Sequence, residues 1–412
     1  MKNGMKIAGA IFVSTLFCAM GGIFNGNMTV KTAKAQEYNL LQESMVANTM
    51  KEVRNEDLKL RAKSAYLMDF GTETVIYAQN EKAHLPIASM CKIMTLLLSF
   101  DAIKNGALDI EEMITVSERA ASMGGSQVFL EANAKYSARE LIKSIVVCSA
   151  NDSCVAMAER IAGSEDVFIA RMNEKAKEIG ANDTLFANCT GLPKEPQYSC
   201  AKDVALMLKN LLQHEEYYEF AKVWMDKFEH PKGRYTEITN TNKLVRFYDG
   251  CDGGKTGFTN EAGFCLAATA KRGDMRVISV VIGEENSSNR FEDVRTMFDY
   301  TFANYTVSAL VEGKKSLEEA LAIEGGKKKE IAIYPERSFY AFSKRGTMGN
   351  YSTQINVHKH KAPFKADEEL GELVVYKDGV EIDRIRLLAM ESVKKATIFD
   401  RFREIAGEWN GR

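Results

Sequence analysis

The chain has 412 residues, of which 45% are hydrophobic, enough for a sizeable core and for more than one domain. Its formal net charge is −2, and it has no basic tract and no nucleic-acid motif, which argues against nucleic-acid binding. Its five histidines form no His-Glu-x-x-His motif and its cysteine spacing matches no zinc pattern, so we expect neither a metal site nor a cofactor.

The N-terminus is typical of a secretory signal peptide. Lys2 and Lys6 precede an uncharged apolar stretch over residues 7–24, and Ala33-Lys34-Ala35 has the small-x-small form of a cleavage site. The pattern predicts export and removal of residues 1–35. An uncleaved membrane anchor is the alternative, because the apolar stretch ends well before that site. Residues 36–60 are polar with helical spacing and are interpreted as a lead-in segment.

The first chemical motif is Ser89-Met90-Cys91-Lys92, at the start of an apolar stretch that predicts a buried helix. One helical turn separates Ser89 from Lys92, which places both side chains on one face. A serine hydroxyl needs a neighbouring base to become a nucleophile, and lysine is such a base when burial or a nearby cation lowers its pKa. Taken alone, the tetrapeptide is more typical of an N-capping serine beside a solvated lysine.

The second motif, Ser149-Ala150-Asn151, lies between two apolar helical patterns and is predicted to be a loop. Its hydroxyl can relay a proton to a leaving amine, and its amide can hold Lys92 or a substrate carbonyl. The alternative is a simple helix cap, since Ser and Asn are both favoured there.

The third motif, Lys255-Thr256-Gly257, opens a predicted hairpin with its turn at residues 258–263 and strands at residues 264–270 and 277–283. A strand edge with Lys255 and Thr256 suits a peptide that ends in a carboxylate, and Gly257 lets the backbone come close. The alternative is a surface strand that happens to carry a lysine.

The chain changes character after residue 305. Short predicted strands follow, and residues 372–388 predict a hairpin that turns at Lys377-Asp378-Gly379. Apolar residues then recur at helical spacing from Thr397 to Trp409, with charged residues on the other side. This amphipathic helix either contacts a membrane surface or docks on the protein.

The three motifs in this order resemble those of penicillin-binding proteins and active-site-serine β-lactamases. Residues 64–69, 123–127 and 252–263 also resemble stretches of the low-molecular-mass penicillin-binding proteins that are serine-type D-alanyl-D-alanine carboxypeptidases. The resemblance implies an α+β fold.

In that fold, a penicillin-binding, β-lactamase-like catalytic domain (an antiparallel sheet with a helical cluster) covers residues 61–305. A small all-β domain over residues 306–392 and an amphipathic C-terminal helix over residues 393–412 follow.

The resemblance also implies a catalytic role for four residues. Ser89 is expected to be the nucleophile and acyl carrier, and Lys92 the general base. Ser149 and Asn151 are expected to complete the proton relay and to orient the substrate. One departure from the family is Cys91, where threonine is common; Cys91 as the nucleophile is the alternative to Ser89.

The same resemblance implies the substrate-binding residues Lys255, Thr256, Gly257 and Phe258. Lys255 and Thr256 are expected to bind the terminal carboxylate, and the backbone N–H groups of Ser89 and Phe258 to form the oxyanion hole. The expected substrate is a peptidoglycan stem peptide ending in D-Ala-D-Ala, from which the terminal D-alanine is removed through an acyl-enzyme. β-Lactams are expected to inhibit by acylating Ser89.

The implied location is outside the cytoplasm, at the outer face of the cytoplasmic membrane, with peripheral membrane contact through the C-terminal helix. The role is in peptidoglycan biosynthesis and remodelling. A serine β-lactamase is one alternative, although no Glu-x-x-Leu-Asn sequence occurs between Asn151 and Lys255. A non-catalytic peptidoglycan-binding protein is another, and D,D-endopeptidase activity is a variant of the first hypothesis.

Seven cysteines remain after residue 35, an odd number for an exported protein. Cys251 and Cys265 lie on neighbouring predicted strands, where a disulfide is conceivable. We expect free, buried thiols instead.

Overall fold

The computed structural model describes residues 58–347 and 349–402. The predicted signal peptide, nearly all of the lead-in segment and the last ten residues lie outside the described residues. Residues 58–60, the described end of the lead-in segment, have no regular secondary structure.

Residues 61–304 combine strands with a helical cluster. The strands are β1 (Ser64–Asp69), β2 (Val75–Gln79), β3 (Met113–Thr115), β4 (Lys135–Ser137), β5 (Met225–Glu229), β6 (Tyr235–Thr239), β7 (Cys251–Thr259), β8 (Gly263–Arg272) and β9 (Met275–Glu284). The helices are α1 (Lys92–Lys104), α2 (Glu118–Ala121), α3 (Ala138–Cys148), α4 (Asn151–Ala162), α5 (Glu165–Glu178), α6 (Ala201–Leu211), α7 (Tyr217–Ala221), α8 (Leu244–Phe247) and α9 (Ser287–Asn304). Short 3₁₀ turns cover Ala88–Cys91, immediately before α1, and Pro231–Gly233.

A five-stranded antiparallel sheet in the order β2-β1-β9-β8-β7 forms the centre of this region. Successive side chains point to opposite faces, so Ala267 and Val280 enter the core of the helical cluster. Leu266 and Val281 enter a second core on the other face, where they join Phe298 of α9. Burial on both faces explains why β8 and β9 are continuous apolar runs rather than alternating ones.

Helix α1 runs through the middle of the helical cluster. Ile93, Met94 and Leu97 pack with Leu141 of α3 and Val204 of α6 in the first core. Because neighbours surround α1, its sequence is apolar on nearly all sides rather than on one stripe. This packing fixes the start of α1, where Lys92 is the first residue.

A small β region follows α9, which confirms the predicted all-β C-terminal part. Its strands are β10 (Tyr305–Val311), β11 (Leu321–Ala322), β12 (Glu330–Ile331), β13 (Ile333–Pro335), β14 (Phe339–Lys344), β15 (Tyr351–Val357), β16 (Glu369–Lys377) and β17 (Val380–Ala389). Four of them form a sheet in the order β13-β17-β16-β15, while β10 pairs with β14 and β11 with β12. Val311, Leu373, Val375, Ile385 and Leu387 contribute to a core of its own.

Two boundaries differ from the sequence prediction. Phe258 and Thr259 continue β7, so the turn of that hairpin is three residues long rather than six. Residues 393–396 do not begin the C-terminal helix but bond to the β region, with Val393 bridged to Phe364 and Lys395 to Gly326. Helical structure starts at residue 398, because backbone partners hold the preceding residues in an extended conformation. Within the described part of the chain, no helix has the length and hydropathy that crossing a membrane requires.

Candidate active site

Ser89 lies in the 3₁₀ turn that precedes α1, and not within the helix itself. The turn is entered through Ala88, whose φ of 47° is in the left-handed region that non-glycine residues rarely adopt. Backbone strain of this kind persists only when its surroundings enforce it. Here two glycines, Gly191 and Gly257, pack against the turn; a Cβ on Gly191 would lie 2.0 Å from the Ala88 carbonyl oxygen.

Lys92 is fully buried, and its ammonium group has two partners. Its Nζ donates to Ser89 Oγ at 2.9 Å and to the Thr190 carbonyl oxygen at 2.6 Å. Burial lowers the pKa of Lys92 because the charged form loses its hydration, although nearby cysteine thiols partly oppose the shift. A lysine with a lowered pKa in hydrogen-bond contact with a serine has the geometry of a general base beside its nucleophile.

The second motif forms the junction of α3 and α4. Ser149 ends α3 with a φ of 67°, and Asn151 is the first residue of α4. Asn151 donates from Nδ2 to the Gly124 carbonyl oxygen at 2.7 Å, and its N–H donates to the Ser126 carbonyl oxygen at 2.7 Å. Asn151 therefore holds the stretch 123–127. Two partners were predicted as options for its side-chain amide, Lys92 and a substrate carbonyl, and among the described residues it makes no hydrogen bond to Lys92.

Two polar atoms of this junction have no hydrogen-bond partner among the described residues: Ser149 Oγ and Asn151 Oδ1, both buried. Unsatisfied buried polar groups are rare and costly in native proteins. Their occurrence beside a nucleophile indicates groups that are kept ready for a substrate.

The third motif lies on β7, the last strand on its side of the sheet. Lys255 is buried, and burial together with the positive charge of Lys92 lowers the pKa of Lys255 to about 7. Its charge also acts on the thiol of Cys148, the residue before Ser149. The charge of Lys255 thus interacts with Lys92 of the first motif and with Cys148, next to the second.

Gly257 brings β7 against the Ser89 turn. A Cβ at this position would lie 2.6 Å from the Ile87 carbonyl oxygen and 3.3 Å from the Ser89 nitrogen, so any side chain would push the two segments apart. On the other side, the buried Arg290 donates from Nη1 to the Gly257 carbonyl oxygen at 3.2 Å. Thr256 is buried on the same strand. Phe258 is 51% exposed and stacks on Phe264 at 4.2 Å between ring centroids.

The sequence analysis did not identify the loop that supports Lys92. Asn188 Oδ1 accepts from the Thr190 N–H at 3.1 Å and from the Gly191 N–H at 2.7 Å, and Asn188 Nδ2 donates to the Leu192 carbonyl oxygen at 2.8 Å. One side chain therefore shapes the turn whose Thr190 carbonyl binds Lys92. Asn followed by Gly three residues later is a signal for a tight turn, but nothing in that signal points to Lys92.

Cys91 is fully buried in the first core. Its Sγ donates to the Asn188 carbonyl oxygen at 3.2 Å, and burial raises its pKa to about 12. Such a thiol is a poor nucleophile, which favours Ser89. All seven described cysteines are free. Cys251 and Cys265 lie opposite Ala270 and Gly257 on the hairpin, respectively, and are therefore not cross-strand neighbours.

Asp183, Cys200 and Asp203 form a separate group whose potential ligand atoms lie within 4.8 Å of one another. Asp203 Oδ2 already accepts from the Asp183 N–H at 2.7 Å and the Thr184 hydroxyl at 2.8 Å. These bonds give the group a structural explanation, because Asp203 in the first turn of α6 holds the segment at residues 183–184.

Comparisons with known proteins agree with the motifs. Residues 49–286 match the D-alanyl-D-alanine carboxypeptidase family, and residues 306–395 match the C-terminal domain of penicillin-binding protein 5. D-alanyl-D-alanine carboxypeptidase DacF of Bacillus subtilis (strain 168) is 38% identical over 358 residues, which are 86% of this chain and 92% of the relative.

Two solved structures are also similar. Penicillin binding protein 5 from Haemophilus influenzae has a TM-score of 0.66 and 27% identity, with 82% of this chain and 98% of that chain covered. The ampicillin-bound form of penicillin-binding protein D2 from Listeria monocytogenes has a TM-score of 0.54 and 30% identity, with 60% of this chain and 99% of that chain covered. These likenesses confirm the resemblance inferred from the motifs and the predicted fold class.

Proposed function

The chain belongs to the D-alanyl-D-alanine carboxypeptidase family, and from this membership we propose the reaction that its site performs. The protein is a serine-type carboxypeptidase that removes the terminal D-alanine from peptidoglycan stem peptides through an acyl-enzyme. The observation that carries this proposal is the 2.9 Å contact between Lys92 Nζ and Ser89 Oγ at a fully buried lysine.

Acylation begins when the neutral amine of Lys92 takes the proton of Ser89 as Oγ attacks the carbonyl of the penultimate D-alanine. The bond from that carbonyl to the nitrogen of the last D-alanine then breaks. The leaving amine needs a proton, and we assign its relay from Lys92 to Ser149, whose hydroxyl has no hydrogen-bond partner among the described residues. Water attacks the resulting ester and regenerates Ser89.

Substrate binding is assigned to the β7 side of the cleft. Lys255 and Thr256 bind the terminal carboxylate. The buried cation of Lys255 is thus paired with a negative charge that all peptides of this class share. The N–H groups of Ser89 and Phe258 receive the oxyanion, and Gly257 permits the close approach of β7 to the turn that this arrangement needs. Asn151 Oδ1 is free to accept from a substrate amide.

We propose residues 61–305 as the catalytic domain and residues 306–392 as the β domain. A hydrophobic core formed by residues 311–393 supports this division, while Phe342 of β14 packs into a core of the catalytic region and joins the two parts. The family acts on the cell wall, outside the cytoplasm. For this chain we propose the outer face of the cytoplasmic membrane, with contact through the C-terminal helix. Ile398, Phe399 and Phe402 support that contact, since each is at least 67% exposed.

A blocked peptide ending in D-Ala-D-Ala tests the reaction, with the free terminal alanine as the product measured. We expect release from this peptide, none from its L-Ala-L-Ala counterpart, and none with Ser89→Ala. Rapid penicillin hydrolysis without alanine release would favour the serine β-lactamase. If neither reaction occurs, the non-catalytic alternative is favoured.

A further inference from the structure

Exposed lysines gather at the end of the β region where the C-terminal helix begins. Lys327, Lys328 and Lys329 lie between β11 and β12, and Lys394 and Lys395 lie just before the helix; all five are exposed. The two segments are far apart in sequence, so only the fold makes them one surface.

Backbone hydrogen bonds hold these segments side by side. Gly326 and Lys395 form an antiparallel bridge, and the Lys327 N–H donates to the Lys394 carbonyl oxygen at 2.9 Å. A third segment joins through a parallel bridge between Glu324 and Lys361, whose side chain is also exposed. We call Lys327, Lys328, Lys329, Lys361, Lys394 and Lys395 the lysine cluster.

The lysine cluster has a positive surplus. The described residues of these segments contain six lysines but four acidic residues: Glu324, Glu330, Glu391 and Asp400. Two of these are engaged by the cluster itself, since Asp400 is 3.1 Å from Lys327 Nζ and Glu391 pairs with Lys328. The chain as a whole has a formal net charge of −2, so this end differs in sign from the whole molecule.

Apolar side chains stand next to these charges. Ile398, Phe399 and Phe402, in the first turns of the helix, are 73%, 80% and 67% exposed. The start of the helix is fixed, because Asp400 accepts from the Thr397 N–H at 2.8 Å and from the Thr397 hydroxyl at 2.7 Å. Lys327 bonds to the same Asp400, which ties the lysine cluster to the apolar residues.

We propose that the lysine cluster and the three apolar side chains form one membrane-docking surface that selects bilayers with anionic headgroups. The inference rests on the membrane contact included in the proposed function and names its lipid partner. Apolar residues alone insert weakly and without regard to headgroup charge, whereas a basic patch beside them adds electrostatic attraction to anionic lipid. Four of the six lysines lie in the β region and two just before the helix, whose own charges are mixed, so the helix sequence alone does not show the lysine cluster.

Vesicle sedimentation of the exported protein tests the proposal, with vesicles of phosphatidylcholine alone or with phosphatidylglycerol added. We expect stronger binding to the anionic vesicles, a difference that high salt abolishes. In the variant Lys361→Gln/Lys394→Gln/Lys395→Gln, binding to anionic vesicles should fall by about tenfold or more, since each lysine near such a surface contributes to the attraction. The arginine counterpart, with all three lysines changed to arginine, should bind like wild type.

The matched control changes three exposed lysines of the catalytic region to glutamine: Lys104, Lys135 and Lys177. Equal losses in both glutamine variants, or equal wild-type binding to neutral and anionic vesicles, would overturn the proposal. Equally strong binding to a soluble poly(glycerol phosphate) would also overturn it, because a phosphate polymer would then be the partner. Penicillin acylation of each variant reports on the active site separately, so failure of the docking proposal is distinguishable from failure of the proposed enzyme activity.

Discussion

Two buried lysines, Lys92 and Lys255, determine how the active site responds to pH. Burial removes the hydration of both ammonium groups and therefore lowers the pKa of both lysines, to about 7 for Lys255. Their proposed roles require opposite states, since Lys92 acts as a base when neutral and Lys255 binds a carboxylate when charged. The two positive charges repel each other, so the pair favours the state in which only one lysine is charged. The proposed roles assign that charge to Lys255 and the neutral amine to Lys92.

The first prediction concerns kcat/KM for a D-Ala-D-Ala peptide, which reports on the free enzyme. As pH rises through about 7, Lys255 loses its proton and kcat/KM should decline, because the substrate carboxylate loses its partner. Lys255→Arg keeps its charge over this range and should show no such decline. A wild-type profile that stays level from pH 6 to 9 would contradict the assignment.

Ser89, Lys92, Ser149, Asn151 and Lys255 could be predicted because each motif carries its chemistry within a few consecutive residues. The contacts that hold these side chains in place could not be predicted from the sequence. Lys92 is held by a backbone carbonyl of the 188–192 loop, and a carbonyl is the same on every residue type. The contact of the Asn151 side chain with the Gly124 carbonyl oxygen was not predicted, whereas its role toward the substrate remains a proposal.

Close contacts between the Ser89 turn, the 188–192 loop and β7 keep the nucleophile in place. Gly191 has a φ of +81°, and a Cβ there would overlap the Ala88 carbonyl. Gly163 supplies a matched comparison, since its φ is also +81° but nothing lies within 4 Å of the corresponding Cβ.

The second prediction follows from that comparison. Gly163→Ala should cost about 1 kcal/mol of unfolding free energy through backbone strain alone and leave penicillin acylation unchanged. Gly191→Ala adds a displacement of the turn and should slow acylation about a hundredfold. Denaturant unfolding and acylation rates measure the two effects. If both variants acylate at the wild-type rate, the 188–192 loop does not position Ser89.

The elements were predictable to different degrees. The apolar runs of β8 and β9 indicated buried strands, and the Asp378-Gly379 turn between β16 and β17 follows directly from its residue types. The end of β7 was missed because Gly257 is a turn signal within the segment, whereas the strand propensity of Phe258 and Thr259 continues β7 beyond it. The 3₁₀ turn at Ser89 depends on packing by Gly191 and Gly257, which are distant in sequence.

At the scale of the whole molecule, a buried carboxyl pair links Arg61, just before β1, to the end of β9. Asp293 of α9 accepts from the Arg61 N–H at 2.6 Å and from the Arg61 guanidinium. Glu284, at the end of β9, is 1% exposed and faces Asp293. Burial, with Asp293 beside it, raises the pKa of Glu284 to about 8.

The third prediction is a stability change with pH. Because the folded-state pKa of Glu284 lies above its unfolded value, its contribution to stability is fully present below the unfolded pKa and is lost as pH rises through about 8. Glu284→Gln keeps the neutral shape and should therefore be more stable than wild type at pH 9, with little difference at pH 4. Denaturant unfolding at the two pH values measures this, and a pH-independent difference would contradict it.

The central claim is that Ser89 forms a covalent acyl-enzyme with the help of Lys92. Intact-mass measurement of the exported protein after exposure to penicillin tests it most directly, beside Ser89→Ala and Cys91→Ser. We predict one lasting adduct of the drug's mass on wild type and on Cys91→Ser, and none on Ser89→Ala. An adduct that persists in Ser89→Ala, or that disappears in Cys91→Ser while the protein stays folded, would contradict the account.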